Sequence, residues 1–116
     1  MAVLRIVPDI KAPDPAKAQA FYGDILGLDV LMDQGWITTF GADAPTKPQV
    51  SVASEGGSGT PVPALSIEVD NLEDVLTKCR AAGLSPSYGP VDEPWGVRRF
   101  YITDPFGTLI NILQHT

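Results

Sequence analysis

The side chains at residues 109–114 alternate along the chain, in a strand predicted over 108–113: Leu109, Asn111 and Leu113 fall on one face, Ile110, Ile112 and Gln114 on the other. A period of two is the signature of a strand, and it sets a lone amide between two leucines. The same alternation marks residues 64–70, where Leu65, Ile67 and Val69 oppose Ala64, Ser66 and Glu68, and residues 49–54, with Val50 and Val52 on one side. Further strands are predicted over 3–12, 28–32, 36–40, 85–89 and 98–103. Pro8 argues for an edge or an irregularity in the first of them. Apolar spacing changes to the helical period twice. Ala18, Phe21, Tyr22 and Ile25 follow the Asp14-Pro15 start signal and stop at Gly27, which predicts a helix over 15–26. Leu72, Val75, Leu76 and Cys79 predict a second helix over 71–82, ended by Gly83.

The order is therefore βαβββ, a break, and βαβββ again. The stretches DPAKAQAFYGDILGL from Asp14 and DNLEDVLTKCRAAGL from Asp70 register 56 positions apart, matching in their start signal, helix length and Gly-Leu stop. The break is rich in Gly, Ser and Pro, as a linker would be. The predicted organisation is a first module over 1–55, a linker over 56–63 and a second module over 64–116.

A chain of 116 residues with 44% hydrophobic content is long enough for a real core. A formal net charge of −6, with no basic cluster larger than Arg98-Arg99, argues against a nucleic-acid partner. No apolar run approaches the roughly 18 to 20 residues of a membrane span. With a single cysteine, Cys79, no internal disulfide is possible, and the start of the chain does not read as a secretory signal, so the expected location is the cytoplasm. Cys79 itself reads as a buried structural thiol.

The phrases AFYGDILGL (20–28), LSIEVDNLEDV (65–75) and DPFGTLINI (104–112), set in a duplicated βαβββ pattern, resemble the vicinal oxygen chelate superfamily of glyoxalase I, bleomycin-resistance proteins and extradiol dioxygenases. The resemblance implies an α+β fold in which two tandem βαβββ modules curl a mixed sheet into a cup with helices outside. In such a cup Gln49, Ser51, Ser66, Glu68 and Asn111 face inward, while Leu65, Ile67, Val69, Val50, Val52, Ile110 and Ile112 face the helices. An open sheet with one solvated polar face would show the same alternation.

Metal-dependent members of that superfamily carry His, Gln or Glu at four cup positions. The motifs place these at Val7, at Ser51 (or Gln49 if the register slips by two), at Ala64 and at Asn111. Two of those residues have no donor atom and neither carboxylate is present, so no metal and no cofactor is expected. The only histidine, His115, lies about 13 Å along the strand from Asn111 and reads as an exposed or surface-paired residue.

Trp36 and Trp95 either stack on a flat ligand or pack as core and rim. Arg98 and Arg99 must point to opposite faces. Arg98 is assigned to the cup, where it meets Glu68 or an anionic ligand. The expected function is binding of a small molecule in a metal-free polar and aromatic cup of the bleomycin-resistance type. The candidate ligand-binding residues are Trp36, Gln49, Ser51, Ser66, Glu68, Arg98 and Asn111, with no catalytic residue. The alternative is a metal-dependent lyase or dioxygenase with an atypical ligand set. The expected partners are the ligand and a second copy of the chain.

Overall fold

Eight strands and one α-helix follow one another along residues 2–116, which the computed structural model describes. The strands are β1 (Val3–Lys11), β2 (Asp29–Asp33), β3 (Ile37–Gly41), β4 (Gln49–Ala53), β5 (Leu65–Val69), β6 (Tyr88–Glu93), β7 (Val97–Thr103) and β8 (Leu109–His115). The helix α1 spans Leu72–Ala81 between β5 and β6. The class is α+β. The chain divides into two compact units, one formed by residues up to Ile6 with Pro63–Thr116, the other by Val7–Val62.

In the unit containing Pro63–Thr116, the strand order is β5-β8-β7-β6, with the start of β1 beside β5. β5 and β8 run parallel, pairing Ser66 with Asn111 and Glu68 with Leu113. β8 runs antiparallel to β7, placing Tyr101 opposite Asn111 and Arg99 opposite Leu113. The predicted alternation decides which face is apolar. Val69, Phe100, Ile102, Ile110 and Ile112 pack against Leu72 and Leu76 of α1, with Leu65, Ile67, Val75 and Cys79 around them. Cys79 is a free thiol, half-buried against this core. Asn71 caps the helix, its side chain accepting the Asp74 N–H at 3.1 Å, which satisfies one of the orphan donors of the first turn.

In the Val7–Val62 unit the order is β2-β3-β4-β1. β1 and β4 are parallel, with Asp9 opposite Ser51. β3 is antiparallel to β4, with Thr39 opposite Ser51. Two helical expectations change here. The segment expected as one α-helix over 15–26 is a 3₁₀ turn, Pro15–Ala18, capped by Asp14, followed by a π-helical stretch, Gln19–Ile25. The Leu26 N–H bonds the Phe21 carbonyl, a wide loop of the helical ladder. A central Gly23 with low helical propensity and only ten or so residues of helix leave little to hold a regular α-helical ladder. The expected apolar face buries only in part: Phe21 and Ile25 are exposed, while Ala18 and Tyr22 are half-buried, the Tyr22 ring 5.6 Å from that of Phe40.

One further expectation shifts. The strand expected at 85–89 lies at Tyr88–Glu93 instead. Its acidic end reads as loop, but Glu93 is held in the sheet by an ion pair with Arg99. Within the stretch expected as a linker, residues 56–60 form a hydrogen-bonded turn: Gly56 N–H donates to the Thr60 carbonyl at 2.8 Å, and Thr60 Oγ1 to the Gly57 carbonyl at 2.7 Å.

Candidate functional site

The sheet face opposite α1 in the Pro63–Thr116 unit is polar and aromatic. It follows from strand parity: if Ile110, Ile112, Phe100 and Ile102 serve the core, then Asn111, Leu113, Arg99 and Tyr101 must point the other way. Ser66 and Glu68 join them from β5, because they alternate with Leu65, Ile67 and Val69.

At the centre of this face Asn111 is 6% exposed. Its Nδ2 donates to Ser66 Oγ at 3.1 Å. Its Oδ1 is sealed from solvent and has no hydrogen-bond partner. An unpaired buried acceptor costs about 1–3 kcal/mol, so its persistence asks for an explanation beyond packing.

To one side lies a buried ion pair. Arg99 Nη2 and Nε approach Glu93 Oε2 at 2.6 and 2.8 Å, and the two side chains are 3% and 4% exposed. Arg99 Nη1 also donates to the Tyr101 hydroxyl at 3.2 Å, and the Tyr88 hydroxyl donates to Glu93. The rings of Tyr88, Trp95 and Tyr101 surround the guanidinium, with centroids 5.4, 5.0 and 5.0 Å from its carbon. Cation–π attraction of this kind adds to the pair when water is excluded.

To the other side Glu68 joins Arg5 and His115. Arg5 Nε lies 2.7 Å from Oε1, and His115 Nδ1 2.9 Å from Oε2. Burial pushes the Glu68 carboxyl up. The hydrogen bond from His115 and the charge and hydrogen bond of Arg5 pull it down, and the net result lies below its ordinary value of 4.5. A carboxyl whose folded value is lowered adds stability above the unfolded value, and that stability is lost as pH falls through the folded value. Urea midpoints measured from neutral pH into acid should show the wild type losing its margin over Glu68→Gln below about pH 4.5. Curves that stay parallel through the acid range would mean that the Arg5–Glu68–His115 cluster contributes nothing net.

The expected site residues divide between the two units. Ser66, Glu68 and Asn111 share the face just described. Arg98 does not: its Nε donates to Glu73 Oε1 on α1 at 2.8 Å and its Nη1 lies 3.4 Å from Asp92 Oδ1, so it serves the helix side. The arginine on the polar face is Arg99, and the partner of Glu68 is Arg5. The parity of Phe100 and Ile102 carried that information, since Arg98 shares their face. Trp36, Gln49 and Ser51 belong to the Val7–Val62 unit. Ser51 is buried and its hydroxyl bonds that of Thr39 at 2.8 Å; Trp36 and Gln49 are half-buried. Trp95 sits in the β6–β7 turn and stacks on Arg99. Glu93, Tyr88 and Tyr101 are not among the residues expected from the sequence, because their association with Arg99 depends on where β6 pairs.

Two successive units that each set a short helical segment after the first strand of four, with α1 on the apolar sheet face of the Pro63–Thr116 unit, define an α+β class of protein. The chain belongs to the Glyoxalase/Bleomycin resistance protein/Dioxygenase superfamily, whose family model matches residues 5–112. Solved structures agree in fold. A Vibrio splendidus superfamily member is 18% identical, with 99% of this chain and 100% of that chain covered and a TM-score of 0.67. A Legionella pneumophila chain described as an NAD-dependent benzaldehyde dehydrogenase is 16% identical, with 97% and 100% covered and a TM-score of 0.76. A Streptomyces coelicolor methylmalonyl-CoA epimerase variant in complex with 2-nitronate-propionyl-CoA is 14% identical, with 99% of both chains covered and a TM-score of 0.72. At these identities the likeness is one of fold. A search of curated proteins finds no match to this sequence.

The metal that the family implies does not fit these residues. Val7 and Ala64 carry no donor atom. Ser51 and Asn111 are neutral and already bond Thr39 and Ser66, and Gln49 is neutral as well. Divalent cations of this chemistry are held by imidazoles and carboxylates that offset their charge. Among the described residues no group of three or more His, Cys, Asp or Glu side chains is placed to hold one.

Proposed function

We propose that the protein binds a small organic molecule on the polar face of the Pro63–Thr116 unit, with Asn111 and Ser66 as its polar anchors and without a metal among its contacts. The observation that carries this reading is the buried, unpaired Oδ1 of Asn111. Sheet faces that are purely structural end in apolar side chains or fully paired polar ones. Here an amide stands between Leu109 and Leu113, half satisfied, beside a buried charge pair and three aromatic rings. Clefts for small ligands combine apolar and aromatic walls with a few fixed polar groups, and this face has that composition. The absence of carboxylate or imidazole at the implied ligand positions supports binding without metal.

Asn111→Leu tests it. The substitution removes the orphaned acceptor and keeps the branching and heavy-atom count of the side chain, so the free protein should be as stable as the wild type or more so, while ligand binding falls by at least about tenfold through the lost hydrogen bond. A thermal-shift screen with small aromatic and amide-bearing compounds supplies the ligand, and urea unfolding supplies the stability. Loss of stability together with unchanged affinity would make Asn111 a structural residue and remove the basis of the reading.

A further inference from the structure

We propose that the ligand of this face is an uncharged molecule that donates a hydrogen bond from an N–H or O–H group to Asn111 Oδ1. The inference rests on the small-molecule reading above and narrows it to a chemical class. Three observations carry it. First, the only unsatisfied buried side-chain polar atom among the described residues is an acceptor, Asn111 Oδ1. Its natural complement is a donor, because a carboxylate, phosphate or ether oxygen would set lone pair against lone pair. Second, the amide gives its Nδ2 to Ser66 Oγ at 3.1 Å, so the end left over is the carbonyl.

Third, the charges on this face are already matched. Arg99 is held by Glu93 at 2.6 Å, and Glu68 by Arg5 and His115 at 2.7 and 2.9 Å. An anionic ligand would have to break one of these pairs to find a counter-ion. A cationic ligand would enter a buried site whose carboxylates are spoken for, and burying an uncompensated charge is strongly unfavourable. A neutral donor avoids both costs. Oδ1 is sealed in this structure, so the ligand's donor reaches it by displacing the side chains that cover it. In doing so it removes the cost of an acceptor left unpaired.

Matched probe pairs decide the point with the full chain: benzamide against N,N-dimethylbenzamide, phenol against anisole, and benzoate as the charged analogue. Saturation-transfer NMR and thermal shift report binding. The expected result is that benzamide and phenol bind at least about tenfold more tightly than their methylated partners, with benzoate weaker than benzamide. In Asn111→Leu, checked for folding by circular dichroism, each pair should bind alike. Equal binding within both pairs by the wild type, or a preference for anisole and the dimethyl amide, overturns the donor assignment while leaving a small-molecule site in place. Tightest binding by benzoate overturns the uncharged class. Failure of every probe at millimolar concentration counts against the ligand class and against the face as a binding site together.

Discussion

Replacing Arg99 by methionine should destabilise the protein by about 3–5 kcal/mol, because it strands a buried carboxylate. Arg99 and Glu93 are 3% and 4% exposed and meet at 2.6 Å, so the surviving Glu93 would keep its desolvation cost and lose its closest counter-charge. The mirror substitution, Glu93→Leu, should cost a similar amount by stranding the guanidinium, although Tyr88, Trp95 and Tyr101 would still offer it their ring faces. The double variant should be distinctly more stable than the sum of the two single losses, since no lone charge remains. Urea unfolding of all four proteins completes the cycle. Additive losses would mean that the pair is not coupled and that the aromatic rings, rather than Glu93, hold Arg99.

Phe100→Ala should cost about 3–5 kcal/mol, the usual range for emptying a fully buried aromatic site. Phe100 is completely buried in the core that joins β7 and β8 to Leu72 and Leu76 of α1. Strands hydrogen-bonded on both sides cannot move in to refill the space, so the cavity persists. Phe100→Leu, which keeps most of the volume, should lose clearly less. The two variants can be compared by their urea midpoints. A Phe100→Ala protein as stable as Phe100→Leu would show that α1 collapses onto the sheet and that the core is less rigid than its packing implies.

Both predictions concern neighbouring residues of one strand, and together they show what could be read in advance. The apolar partners of α1 were legible from period-two alternation, since Leu65, Ile67, Val69, Ile110 and Ile112 all turned to the helix. The same rule applied to Phe100 and Ile102 assigns Arg98 to the helix side. Arg98, expected on the polar face, therefore bonds Glu73 of α1, and Arg99 stands on the polar face instead. The strand β6 was harder. Asp92 and Glu93 look like loop residues, and a register shift between Tyr88 and Val91 breaks the simple alternation. The helix expected over 15–26 has a start signal, apolar spacing and a glycine stop, yet with Phe21 and Ile25 exposed the spacing finds no core to organise it.

The sequence by itself determined the repeat of two βαβββ modules, the positions of most strands, and the sharing of one face by Ser66, Glu68 and Asn111. These follow from local geometry, because successive side chains of a strand must alternate whatever the rest of the chain does. Only the tertiary structure decided who meets whom. Ser66 bonds Asn111 across 45 residues of chain, Glu68 meets Arg5 across 63, and Glu93 reaches Arg99 only because β6 pairs with β7 beyond a bulge. Parity sets the direction of a side chain, but its partner depends on the register between strands. That register is settled by how the strands pair and by the packing of their apolar face against α1, and no local pattern in the chain prints it.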